Sequence, residues 1–209
     1  MTAEVWLRWA GTAAFLAVAG YCVARLAAAH RAPAGYPGRH RAVDIAHVLM
    51  GIGMAAMASP AGGPLPMAGW QAIFLIMAAW FAGSWWRERR TGPPPRDGMG
   101  WHGTGLHHAV AALAMLYMLS AMRHGGGHGV PDTAPWLAGR LDSPGMALPV
   151  VGWALVGYFA VSAVLLVVGT DWRPGPAGVP SILLTPRITA SCQATMALGN
   201  GYLLLAMLG

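Results

Sequence analysis

The stretch "DIAHVLMGIGMAAM", from Asp44 to Met57, sets an acid, an imidazole and three thioethers into an otherwise apolar run. At about 100° of rotation per helical residue, His47, Met50, Met54 and Met57 share an arc of roughly 80°. Asp44 lies one turn earlier on nearly the same side. A second stretch, "HHAVAALAMLYMLSAM", repeats the arrangement. There His108, Met115, Met118 and Met122 fall in a similar arc of roughly 80°, while His107 is turned about 100° from His108.

Thioether and imidazole suit Cu(I) and serve hard cations poorly. Methionine sulfur binds without deprotonation, so a row of such sites holds a soft cation in lipid without adding negative charge. At 1.5 Å per residue the row from His47 to Met57 climbs about 15 Å. Cys192 and Met196, four residues apart in the last apolar run, can add a thiolate and another thioether. The expected metal-binding set is therefore His47, Met50, Met54, Met57, His107, His108, Met115, Met118, Met122, Cys192 and Met196. Asp44 is expected behind His47, orienting its second nitrogen.

Other readings of the same residues stay open. His47 with His107 or His108 can clamp a b-type haem, as in a membrane electron carrier. Asp44, His47, His102, His107 and His108 can supply the ligands of a zinc hydrolase. No H-E-x-x-H is present, however, and the His124/His128 pair lies in a glycine-rich loop. Methionine is also an ordinary packing residue. The chain then reads as a non-catalytic structural or partner-binding subunit with no cofactor. His47 carries the most weight, because an ionisable group inside a membrane segment points to a functional site or a buried pair. Nothing in the sequence requires an enzyme: there is no P-loop, dinucleotide fingerprint or nucleophile elbow in a suitable setting.

The elements that must position these residues are membrane helices. Of 209 residues, 56% are hydrophobic and only 10% charged, against about 25% charged in soluble domains. A bilayer core about 30 Å thick takes roughly 20 apolar residues as helix. Six runs qualify or nearly so: Val5–Ala28, Val43–Ser59, Met67–Trp86, Gly105–Met122, Leu148–Gly169 and Pro186–Leu208. Between them lie breaker-rich connections such as "ASPAGGPLP" and "DWRPGPAGVPS". The expected fold is all-α: a polytopic bundle of six transmembrane helices in one domain, residues 1–209. Ser191, Gln193, Asn200 and Gly201 mark one side of the sixth run as protein-facing. The first run is read as a span, not a cleaved signal, because it is long and preceded by Glu4.

Every basic residue is arginine, which suggests GC-rich coding. Ten arginines (25, 31, 39, 41, 87, 89, 90, 96, 173 and 187) fall on one side of the predicted topology, against Arg8, Arg123 and Arg140 on the other. That asymmetry places both termini outside. Trp6, Trp70 and Trp136 are expected at the outer interface, and Trp85, Trp86, Trp101 and Trp172 at the inner one. The net charge of +6 then speaks for anionic lipid heads, not nucleic acid. Cys22 and Cys192 form no disulfide framework and are expected as free buried thiols. A membrane protein partner or a homo-oligomer is left open.

"HVLMGIGMAAM" and "HHAVAALAMLYMLSAM" together resemble a family of actinobacterial integral membrane proteins grouped as a domain of unknown function. The resemblance extends from the first helix to the last. It rests on His47, Met50, Met54 and Met57, then His107, His108, Met115 and Met118. It implies a multi-pass protein of the bacterial plasma membrane and carries no activity with it.

Overall fold

A chain this apolar satisfies its backbone polar groups within each segment, so its apolar runs become helices. The computed structural model describes residues 3–31, 38–91, 105–121, 148–169 and 186–208. They form α1 (Ala3–Arg31), α2 (Gly38–Ala58), α3 (Met67–Thr91), α4 (Gly105–Ala121), α5 (Pro149–Gly169) and α6 (Pro186–Leu208). The all-α expectation is met, with one helix for each apolar run. Helix ends differ from the expected ones because apolarity marks contact with lipid, whereas the backbone stops where capping allows. α2 starts five residues before Val43, through the polar but helix-compatible "GRHRA". Asp44 and His47 therefore sit well inside a helix instead of at its mouth. α3 runs on to Thr91, with Arg89 and Arg90 in its last turn, where the helix dipole favours cations. Their guanidiniums lie over Trp85 and Trp86, at 4.4 and 5.1 Å from the ring centroids. α4 is described only to Ala121, so Met122 lies outside the described residues.

Val5–Ala28, Arg41–Ala58, Met67–Thr91 and Pro149–Val168 are long and apolar enough to cross a membrane; α4 is apolar but shorter. Their outer surfaces are apolar, as contact with lipid requires. Leu75, Ile76 and Trp80 on α3 are exposed, as are Val150, Trp153, Val164 and Val168 on α5. A soluble monomer rarely leaves apolar patches this continuous in water.

The chain packs as three helical hairpins, α1 with α2, α3 with α4 and α5 with α6, while α2, α4 and α6 also touch one another. The even-numbered helices thus form the inside of the bundle. In the first hairpin Arg8 donates to the carbonyls of Ala58 and Ser59 (3.1 and 3.4 Å), capping the end of α2. At its other end Arg25 meets Asp44. α1 and α2 are therefore antiparallel. So are α3 and α4, where Gln71 donates to the Leu119 carbonyl at one end and Gly105 abuts Phe81 and Trp85 at the other. α2 and α4 run parallel, since His47 lies beside His108 and, further along both helices, Gly53 beside Met115.

Every methionine side chain among the described residues is buried: Met50, Met54, Met57, Met67, Met77, Met115, Met118, Met196 and Met207. Branched residues cover the outside instead. Alanines at 55, 56, 109, 111, 112 and 114 fill the inner seams, where small residues let helices approach closely. Trp70 does not join an interfacial belt as expected. It is 2% exposed and stacks on Phe74 at 6.0 Å, because its helix turns that face inward. Trp6 and Trp86 are exposed, as a belt requires.

Two helix backbones come close together at Gly105. A Cβ there would stand 2.7 Å from the Phe81 carbonyl oxygen and 2.9 Å from the Trp85 nitrogen, both backbone atoms that cannot swing aside. Gly83 has open space around the same position. Gly105→Ala is expected to destabilise the bundle by about 1–3 kcal/mol, while Gly83→Ala is neutral or slightly stabilising. Thermal unfolding of both variants in detergent checks the contrast.

Candidate functional site

The antiparallel α1–α2 seam brings two i, i+3 pairs face to face. Cys22 and Arg25 come from α1, and Asp44 and His47 from α2. All four are buried, at 1%, 4%, 2% and 5% exposure. Arg25 Nε lies 3.2 Å from Asp44 Oδ2, and the guanidinium also lies 5.8 Å from the Tyr21 ring centroid. A ligand atom from each of Cys22, Asp44 and His47 falls within 4.8 Å of the other two. Both cysteines are free thiols, as expected.

The close approach at Gly105 fixes the start of α4 against α3, and this places the other histidines. His108 stacks on Phe81 (centroids 4.9 Å apart) and reaches across to His47 (5.3 Å, tilted by 53°). His107 meets His108 edge-on at 5.6 Å, and its Nδ1 is 2.7 Å from the Tyr158 hydroxyl on α5. A polar layer thus crosses the bundle at one level: Cys22 and Arg25, then Asp44 and His47, then His108, His107 and Tyr158. Beyond it the interior packs methionine and alanine together with Phe15, Phe74, Phe159, Leu119, Leu203 and Leu204. Met54 Sδ lies 3.4 Å from where a Cβ on Gly199 of α6 would be, and the methyl of Met115 lies 3.3 Å from the same position on Gly53.

Of the residues singled out in the sequence, His47, Met50, Met54, Met57, His107, His108, Met115, Met118 and Met196 all lie buried in this interior. Either His107 or His108 was open as the neighbour of His47. His108 takes that place, and His107 turns to Tyr158. Cys22, a thiol outside the expected ligand set, joins His47 and Asp44. Cys192, half-buried on α6, packs against the core and lies near enough to Cys22, Arg25 and Asp44 to interact with them electrostatically. The Asp44 carboxylate also pairs with Arg25. Arg25 itself is an interior residue, not one of the helix-end arginines. Met122, His102, His124 and His128 lie outside the described residues.

Arg25 had a signal in the sequence. A cation and an acid in consecutive membrane segments each need a counter-charge, and Arg25 and Asp44 lie near the facing ends of their segments. Cys22 follows from the same register. Tyr158 had no such signal, since its role depends on how α4 and α5 pack.

A family described as a domain of unknown function (DUF5134) matches residues 39–207. The chain belongs to that family. The match takes in Asp44, His47, His107, His108 and Tyr158, while Cys22 and Arg25 precede it. No curated protein and no solved structure matches the chain.

Removing one member of a buried ion pair strands the other in an apolar interior, which typically costs about 3–5 kcal/mol, whereas removing both is often close to neutral. Arg25→Gln and Asp44→Asn are each expected to lower the detergent unfolding temperature strongly. The double variant should recover most of the loss. Additive losses in the double variant would show that the two side chains do not act as a pair.

Proposed function

We propose that the chain is a multi-pass protein of the bacterial plasma membrane whose interior binds a soft transition-metal ion, Cu(I), at Cys22 and His47. In this reading all six helices cross the bilayer and both termini face outward. α6 carries its polar Gln193 and Asn200 on the buried side, so its lipid-facing surface is more apolar than its average. α4, at 17 residues, rises about 26 Å and lies among other helices. The exposed Arg41, Arg87, Arg89 and Arg90 mark the cytoplasmic end, and the Cys22–His47 layer lies toward that end. Actinobacterial origin belongs to the same proposal and rests on the all-arginine composition.

The observation that carries the reading is the sorting of soft ligands. The described methionines are all buried while leucine and valine occur both outside and inside, and a thiol and an imidazole meet at one end of that interior. Metal–sulfur and metal–nitrogen bonds of about 2.3 and 2.0 Å set a thiolate and an imidazole about 4.3 Å apart across one ion. The 4.8 Å span of the Cys22 cluster accommodates this. The 5.3 Å between the His47 and His108 centroids suits two imidazoles at about 110–120° around a small ion. Two axial ligands of a haem need about 6 Å, so the spacing favours an ion over a porphyrin. A zinc hydrolase would need an open position for water, and the neighbouring carboxylate faces Arg25 instead.

The test is anaerobic titration of detergent-purified protein with Cu(I) against a chromophoric Cu(I) chelator, with an absorption spectrum taken on the same sample. We expect stoichiometric uptake and no Soret band. Affinity should fall more than about tenfold in Cys22→Ser and in His47→Ala, and also when Met50 and Met54 are both changed to Leu. Absence of uptake would leave a purely structural role, and wild-type affinity in both the Cys22 and His47 variants would put the ion away from those two residues. A Soret band lost in His47→Ala would establish haem instead.

A further inference from the structure

We infer that the Arg25–Asp44 ion pair sets the charge of the ion that the Cys22–His47 site accepts, restricting it to monovalent cations. The inference rests on the metal-binding reading above and adds the residue that determines its selectivity.

The side chains around Cys22 and His47 enclose a closed, apolar volume in which net charge decides what can bind. A net charge enclosed in a low-dielectric interior is costly, while a cluster summing to zero is not. Cys22 binds metal as thiolate, releasing one proton, and contributes one negative charge. His47 binds neutral and contributes none. Asp44 adds one negative charge, and Arg25, whose guanidinium is always charged in proteins, adds one positive. The cluster therefore sums to one negative charge. A monovalent ion brings it to zero, whereas a divalent ion leaves an uncompensated positive charge among side chains that are almost fully buried.

Cys192, the second thiol beside the cluster, enters the count as a neutral thiol, and geometry ties the charges to the other four residues. The Asp44 carboxylate lies within 4.8 Å of both ligand atoms and 3.2 Å from Arg25 Nε. Arg25 and Asp44 side chains are only 5% and 3% exposed, so bulk water screens neither. Were Arg25 neutral, Asp44 would become an available oxygen ligand. Thiolate, carboxylate and imidazole are together a donor set suited to divalent zinc or cobalt. Arg25 thus removes a ligand and corrects the charge at once.

The experiment compares Ag(I), a redox-stable monovalent probe, with Co(II), a divalent probe whose thiolate complexes absorb visibly in the near ultraviolet. The proteins are detergent-purified wild type, Arg25→Gln, Asp44→Asn and the double variant. Wild type should bind Ag(I) and exclude Co(II). Arg25→Gln should gain Co(II) binding with a thiolate charge-transfer band, moving the Ag(I):Co(II) preference by about a hundredfold or more. Asp44→Asn carries one extra positive charge and should bind Ag(I) more than about tenfold more weakly. The double variant returns the sum to one negative charge and should regain the wild-type preference. Should Arg25→Gln not fold, the fall in Asp44→Asn and the recovery in the double variant decide the matter. Ag(I) binding with the same preference in all variants overturns the selectivity inference and leaves the metal site standing. Failure of every protein to bind either ion overturns both.

Discussion

Two opposite charges, Arg25 and Asp44, lie 3.2 Å apart in the interior of a bundle whose outer surface is leucine, valine and tryptophan. Neither is tolerable there alone. Their pairing fixes the register of α1 against α2, and that register sets Cys22 opposite His47. On the far side of α2, the glycine contact at Gly105 fixes α4 against α3, so that His108 reaches His47 while His107 turns to Tyr158. One ion pair and one close helix contact therefore assemble a polar layer drawn from α1, α2, α4 and α5.

The helices were legible because the bilayer makes them so: a run of about 20 apolar residues has few alternatives to α-helix. Their inward faces were legible for a related reason. The i, i+3, i+4 spacing of His47, Met50, Met54 and Met57 defines a face wherever the helix lies, and the structure turns that face inward. Trp70 shows where this kind of reading stops. A tryptophan near a helix end was assigned to an interface belt, yet rotation of α3 buries it against Phe74. Cys22 and Cys192 show the same limit. Both lie in apolar runs, and only the antiparallel register of α1 and α2 brings Cys22 to His47.

The sorting of methionine from leucine bears on function as well as packing. Leucine and methionine are similar in size and both fit lipid or core, so packing alone asks for a mixture on both surfaces. Here the described methionines are inside, and leucine occurs on both sides. Methionine fills irregular gaps between alanine-rich helices, and this contributes to the pattern whatever else the residue does. The same placement also lines the bundle interior with thioether sulfurs beyond a thiol–imidazole pair, and the proposed soft-cation site draws on that lining.

The central claim is that one thiolate and one imidazole, held together by the α1–α2 seam, form the primary site. X-ray absorption at the copper K-edge of the Cu(I)-loaded protein reads that coordination shell directly. The account predicts a shell of mixed sulfur and imidazole nitrogen whose short sulfur component disappears in Cys22→Ser. A shell of thioether sulfur alone, unchanged by that substitution, would contradict it.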